Sequence, residues 1–547
     1  MRRCALVLCA TLTFPGFASA QLLHTIESID PLIGGEFGFC VAPLGDINGD
    51  GYDDLIVGAP FEGYSNTGHA YLFSGVNGSY IRSYGGYGDY MLGHSVSGIA
   101  DVNGNGYPDV IVGAPGAYIT EPYNGMVWVV DGFTGGTIWW RACPPHPTPD
   151  VGLEYFGNAV AEIGDVTGDG VSDLIAGAYG IATFSDQGDA GHAYNLNGGN
   201  GVDLEFLFSP HWQGGGCFSC SVAGAGDVNG DGAPDVVVGA RGEDGHGYAY
   251  TYEGYAQDYG GVMIRWLQSP NPEASGRFGN CVAGLGDVDG DDVPEVVVGA
   301  PEEDYGLVNA GRAYVMNGQT GAVVRELHSS NPAVYGNFGH AVARFDDVTG
   351  DGVSEILVGA PGDSAGGLPR AGHAYVFDGA TGAAIWAFAS PAPENHGEFG
   401  AAVAAGGDMN ADGYPDVLIG AHFENAFGMS NAGRVYAFSG AIFGSAITLN
   451  AAMGPGGLVL SWSPLAWANE YWVYGAANLP WFVPGVAPGY EHRVAILAED
   501  CLTWSSGNGV GDPAQDWTYL VIAVGAGEEE VGRSNRAGEV DFETNMP

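Results

Sequence analysis

The stretch Gly45-Asp46-Ile47-Asn48-Gly49-Asp50-Gly51-Tyr52-Asp53-Asp54-Leu55-Ile56-Val57-Gly58-Ala59-Pro60 decides the fold. Its first half sets oxygen side chains at Asp46, Asn48, Asp50 and Asp54, with Gly51 in the bend. Side chains at positions one, three, five and nine of a tight loop converge on one point, and position seven, Tyr52, adds its backbone carbonyl. Such a donor set suits a hard cation, with the logic of an EF-hand loop but shorter and leading into a strand. The second half, Leu55-Ile56-Val57, is a short apolar run closed by Gly58-Ala59-Pro60, which reads as a buried strand ending in a turn.

The pattern recurs six more times. The same five positions hold Asp101, Asn103, Asn105, Tyr107 and Asp109 in the second copy. The third has Asp165, Thr167, Asp169, Val171 and Asp173, and the fourth Asp227, Asn229, Asp231, Ala233 and Asp235. The fifth has Asp287, Asp289, Asp291, Val293 and Glu295, and the sixth Asp347, Thr349, Asp351, Val353 and Glu355. The seventh has Asp408, Asn410, Asp412, Tyr414 and Asp416. Each loop opens nine residues after an aromatic or leucine (Phe37, Leu92, Phe156, Phe218, Phe278, Phe338, Phe399) and is followed by Gly-Ala.

Oxygen donors at alternate positions, without His or Cys, favour Ca²⁺ over zinc, and the loose geometry suits it better than Mg²⁺. The expectation is up to seven structural Ca²⁺ ions. The loops are unequal. The second has only two carboxylates and is expected to bind weakest. In the fifth, Asp292 replaces the bend glycine, which strains a backbone that needs positive φ. Asp-Gly and Asn-Gly are also ordinary hairpin signals. A plain turn, however, does not need four oxygens in phase seven times with like charges packed together.

Of the 547 residues, 95 are glycine, without the period of collagen. The formal net charge is −49 and no residue is lysine, so phosphate backbones and anionic lipid surfaces are repelled and nucleic-acid partners disfavoured. Arg2-Arg3, the apolar stretch from Ala5 to Phe17 and Ala18-Ser19-Ala20 read as a signal peptide over residues 1–20, so secretion or a periplasmic or cell-surface location is expected. No later apolar run is long enough for a membrane span. Cys40 and Cys281 share one slot in their repeats and read as small buried strand residues; Cys217-Phe-Ser-Cys220 lacks the partners of a zinc or redox site.

The joint recurrence of Phe-Gly, cation loop and Gly-Ala-Pro identifies FG-GAP repeats, and seven of them resemble the N-terminal β-propeller of integrin α subunits. The resemblance implies an all-β, seven-bladed propeller over residues 21–443. The residues agree. Around each loop lie two short apolar runs, then a Gly-x-Ala-Tyr strand such as Gly372-His373-Ala374-Tyr375, then a turn and a fourth strand such as Ala384 to Ala389. Inner strands are expected to be apolar on both faces, because each blade is sandwiched between neighbours. The register starts one strand early: Leu22 to Ile26 aligns with the outer-strand sequences Val323 to Leu327 and Ala384 to Phe388. Residues 22–29 are therefore expected to complete the last blade and hide an open edge. Residues 446–547 change character; Trp462 on an early strand and Tyr519 on a late one resemble a fibronectin type III β-sandwich.

No Gly-x-Ser-x-Gly elbow, His-Glu-x-x-His or P-loop is present, and the histidines His69, His192 and His373 share a repeat position. The reading is a secreted binding or adhesion module for a protein or glycan ligand. The alternative is a calcium-dependent carbohydrate-active lyase or hydrolase, since propellers host both roles. The resemblance implies recognition on the face opposite the cation loops, through segments such as Phe61 to Thr67, Arg241 to His246 and Phe423 to Asn431. Arg241 and Arg370, isolated cations in an acidic field, either receive a carboxylate there or decorate the surface.

Overall fold

The computed structural model describes residues 21–86, 90–118, 124–144, 154–180, 190–211, 213–255 and 261–440, with the backbone of short strands at Ala10–Thr11 and between 450 and 541. The chain divides into two compact units, Gln21–Ala441 and a second made of Met1–Ala20 with Ile442–Pro547. In the second unit one four-stranded sheet joins Ala10–Thr11, Asn450–Gly454, Gly457–Ser461 and Cys501–Thr503. The other joins His492–Leu497, Glu470–Ala477, Trp517–Val524 and Glu539–Asp541. Trp462, the side chain of Tyr519, and the leader segment apart from Ala10–Thr11 lie outside the described residues.

The first unit is a seven-bladed propeller of four-stranded antiparallel sheets. Blade one runs Cys40–Gly45, Asp54–Ala59, His69–Phe73 and Tyr80–Gly85, each strand pairing with the next. Among the described residues the single helical turn is the 3-10 segment Glu243–Gly245. Blade seven is completed from the other end of the unit. Leu22–Ile26 pairs antiparallel with Arg434–Phe438, bringing Leu22 opposite Phe438 and Ile26 opposite Val435. The expected closure is what the fold adopts, and it gives the outermost strand of the last blade a partner.

The second strands, from Asp54–Ala59 through Asp416–Ala421, are buried at every residue. The first strands differ from the expectation for inner strands: Cys40–Gly45 and Val282–Gly286 alternate buried with half-buried residues. They pack against one another round the axis, Ala402–Gly407 meeting Cys40–Gly45, so one face looks into the channel instead of a neighbouring sheet. Cys40 and Cys281 accordingly are half-buried free thiols, not fully buried ones. Burial of their sulfur pushes the Cys40 thiol up to about 12 and the Cys281 thiol to about 11, so both sit as neutral packing groups.

Blades meet through glycine. A Cβ on Gly58 would overlap the carbonyl oxygen of Gly93 in the next blade, and one on Gly359 would overlap that of Gly400. The series closes on itself, because a Cβ on Gly420 of blade seven would strike the Gly38 oxygen of blade one. The Phe of each Phe-Gly is fully buried at these seams; Phe37 lies edge-on to Phe73 at 5.8 Å and belongs to a core that joins Leu418 and Val435 of blade seven to Leu55 and Val57 of blade one. Overpacking of a close-packed seam costs about 1–3 kcal/mol. Gly359→Ala should therefore lower the melting temperature of the propeller, whereas Gly367→Ala, on an open loop with positive φ but no near atom, should cost only the backbone strain, about 1 kcal/mol. Thermal melts of both variants check the ranking.

Candidate metal centres and buried latches

Each of the seven hairpins joins the first strand of a blade to the second, so all seven project from one end of the ring. In blade one the Asp46 carboxylate accepts from the Gly49 N–H at 2.6 Å and the Gly51 N–H at 2.8 Å. Asn48 Oδ1 accepts from the Asp50 N–H and Asp50 Oδ1 from the Tyr52 N–H. Asp54 is fully buried and accepts from the Ile47 N–H at 3.2 Å and the Gly75 N–H at 3.1 Å. The scheme repeats: position one is Asp101, Asp165, Asp227, Asp287, Asp347 or Asp408. Position nine is Asp109, Asp173, Asp235, Glu295, Glu355 or Asp416, each receiving the N–H of position two.

The fold brings these side chains into one hairpin per blade, yet their convergence is uneven. Among the described residues Asp287, Asp289 and Glu295 are the three acidic groups whose oxygens lie within 4.8 Å of one another. In several loops, the fifth included, the position-five side chain turns to a residue at the end of the blade's third strand. Asp169 accepts from Asn197, Asp291 from Asn317, Asp50 from Ser74 and Asp412 from Ser439. In the second loop Asn105 instead donates to Asp131, which brings an unexpected carboxylate to that hairpin. The all-oxygen donor set and the acidic trio of the fifth loop fit a divalent cation; Asp287, Asp289 and Glu295 would hold it, and it would supply charge neutralisation only.

Electrostatics divides the second, third and fifth loops. Burial, reinforced by neighbouring loop carboxylates, pushes the position-nine acids Asp54, Asp235, Glu295, Glu355 and Asp416 up to about 7 and Asp109 to about 6. Slight desolvation of Asp101, Asp165 and Asp287 is outweighed by backbone N–H donors, which hold these carboxyls below the usual range. The expected strain at Asp292 is present as φ 67°, and Ala411 in the seventh loop has φ 55° where the first has Gly49. A left-handed alanine costs roughly 1 kcal/mol, and asparagine or aspartate less. Ala411→Gly should raise the melting temperature more than Asp292→Gly does, as parallel melts would show.

A second set of carboxylates escaped the reading of the sequence. Glu62, Glu243, Glu303, Asp363 and Glu424 each stand three residues past the alanine of Gly-Ala, at the end of the ring away from the hairpins, and all are buried. Each accepts from the tyrosine of its own Gly-x-Ala-Tyr strand: Tyr71 to Glu62 at 2.5 Å, Tyr375 to Asp363 at 2.8 Å, Tyr436 to Glu424 at 2.5 Å, and likewise Tyr250 and Tyr314. A serine just beyond the preceding blade's outer strand joins them; Ser329 donates to Asp363 at 2.7 Å. The signal was available, since Ala117 fills the acid's slot in blade two and Trp128 replaces the tyrosine there.

Burial raises Glu62 and Glu243 to about 7, with the Tyr and Ser hydrogen bonds opposing, and Asp363 to about 6. A carboxyl whose folded pKa exceeds the ordinary 4.5 holds its proton more tightly folded than unfolded. Its contribution is complete below about pH 4.5 and is lost as pH rises through about 7. Glu62→Gln should therefore flatten the fall in melting temperature between about pH 5 and pH 8 in metal-free buffer. An unchanged slope would show that Glu62 is ionised throughout.

Comparison with known proteins agrees with this architecture. An FG-GAP repeat profile matches residues 41–73, 92–130, 221–256, 279–316 and 399–438. The third and sixth repeats fall outside those matches but form the same four strands. Integrin alpha-5 of Xenopus laevis is 32% identical over 226 residues, covering 38% of this chain and 20% of that protein. Integrin alpha-PS3 of Drosophila melanogaster is 31% identical over 239 residues, 42% of this chain and 21% of that protein. Integrin alpha-V of Gallus gallus is 28% identical over 250 residues, 42% and 22% respectively. The chain thus spans about a fifth of the length of these relatives. It carries FG-GAP repeats folded as an integrin-α-like β-propeller.

Proposed function

We propose that this protein is a secreted, calcium-binding propeller that acts as an extracellular binding or adhesion module. The observation that carries the reading is the division of labour between the two ends of the ring. One end presents seven acidic hairpins. The other presents loops of unequal length bearing exposed large apolar side chains, among them Tyr64 at 91%, Ile33 at 77% and Phe427 at 65% exposure. Exposed apolar groups clustered on the loops of one face mark a recognition surface for a macromolecule. The hairpin ions are structural: each cancels repulsion among the carboxylates it holds, and binding the folded state alone stabilises the ring by about 2.7 kcal/mol per site at a hundred times its dissociation constant.

Residues 21–443 form the propeller in this reading, and residues 446–547 a fibronectin type III-like companion behind a cleaved leader of residues 1–20. Among the described residues no helix is long and apolar enough to cross a membrane. The ligand is an extracellular protein or glycan. A chelator should lower the melting temperature by well over what added monovalent salt restores, and Ca²⁺ should recover it; unchanged melting would remove the structural ions from the reading. Calcium-dependent capture on arrays of matrix proteins and glycans tests the binding role. Release of product from polyuronides would favour the enzymatic alternative instead.

A further inference from the structure

Arg241 follows directly on Asp235–Ala240, at the end of the ring opposite the hairpins, in the place held by Pro60, Pro115, Pro301 and Pro361 in other repeats. Its Nη1 donates to Asn280 Oδ1 at 3.2 Å, and Asn280 Nδ2 donates to the His340 carbonyl at 3.0 Å. Blades four, five and six are thereby linked side by side round the channel mouth. The charges of Arg241, Arg277 and Arg370 all bear on His340, and that of Arg241 also reaches His94 of blade two. Groups on blades so far apart come within reach of one another only near the axis.

The positive groups are not equally compensated. Arg277 pairs with Glu302 at 3.0 Å, and Arg370 pairs with Glu398, which settles the latter as a surface ion pair. Arg241 is half-buried and has no carboxylate within 4.0 Å among the described residues; its other near neighbours are Cys217, Cys220 and Tyr179. In a chain of net charge −49, a guanidinium that is partly withdrawn from water and left without a counter-anion is an exception that requires an account. A guanidinium fork with free N–H donors matches the plane of a carboxylate.

We infer that the channel mouth between blades four and six binds a single carboxylate presented by a protein loop, with Arg241 as its principal contact and Asn280 holding the guanidinium in place. A lone carboxylate fits better than phosphate or a polyanion, which the field of the whole molecule repels. A protein source fits the exposed Tyr335 on the segment that leads from blade five into blade six, since aromatic groups beside an ion pair are characteristic of protein interfaces.

The inference rests on the reading of this face as a recognition surface, and the test separates the two. Ligand-observed NMR titrations of the full chain would use N-acetylaspartate amide, its asparagine counterpart, glucuronate and sulfate. The aspartate probe should saturate and the asparagine probe should not. Arg241→Gln should weaken the aspartate probe roughly tenfold or more, the loss expected for a charge-assisted hydrogen bond, with Arg241→Lys intermediate. Arg344→Gln, which removes an exposed pair with Asp346 near the hairpins, should leave binding unchanged. Thermal melts of each variant confirm folding. Absence of saturation, or equal affinity in Arg241→Gln, overturns the inference; sulfate or glucuronate binding as tightly as the aspartate probe overturns the carboxylate or the protein source. Calcium-dependent capture that persists in Arg241→Gln sinks the inference and leaves the adhesion reading standing.

Discussion

The approach of glycine to a neighbouring blade's carbonyl is the constraint from which the rest of this structure follows. With no Cβ at Gly58, Gly359 or Gly420, one sheet can lie against the next closely enough to bury every residue of the second strands. The contact passes round the ring and returns to Gly38, so geometry at one seam is felt at all of them. Close-packed interiors tolerate little added volume. That is why a chain so rich in glycine, usually a sign of looseness, builds a rigid wheel.

Rigidity at the seams fixes what the two ends can present. The turns between first and second strands fall at one end, and loops between second and third strands fall at the other. At the hairpin end, position-nine carboxylates are drawn into the sheet while position-one carboxylates stay in solvent, wrapped by backbone N–H groups. Ionising both together is opposed by burial and mutual repulsion, an opposition that a divalent ion held there would relieve.

The other end relies on buried hydrogen bonds between tyrosines and acids. Tyr71, Tyr375 and Tyr436 tie buried acids to serines contributed by the preceding blade, so the latch reports blade order as well as holding it. Arg434 adds an ion pair to Glu27, which follows the strand that closes the ring. Closure is therefore secured three ways, by strand pairing, by glycine packing and by charge, at the one seam where the chain is discontinuous.

Much of this was legible in the residues. Blade number, strand order and the closing strand Leu22–Ile26 were all encoded as local periodicity, because each repeat is a unit whose turn chemistry and apolar runs need no distant partner to be recognised. What only the folded ring decided involves residues far apart in sequence. The latch acids carry no local motif, and it is the packing of neighbouring blades that buries them. Position-five side chains also accept from Ser74 or Asn197 at the end of the third strand, partners that no loop spacing announces. Arg241 and Arg370 looked alike until Glu398 was found beside one and no carboxylate beside the other. Sequence spacing sets which groups share a hairpin; burial and partner choice depend on seven blades meeting in three dimensions.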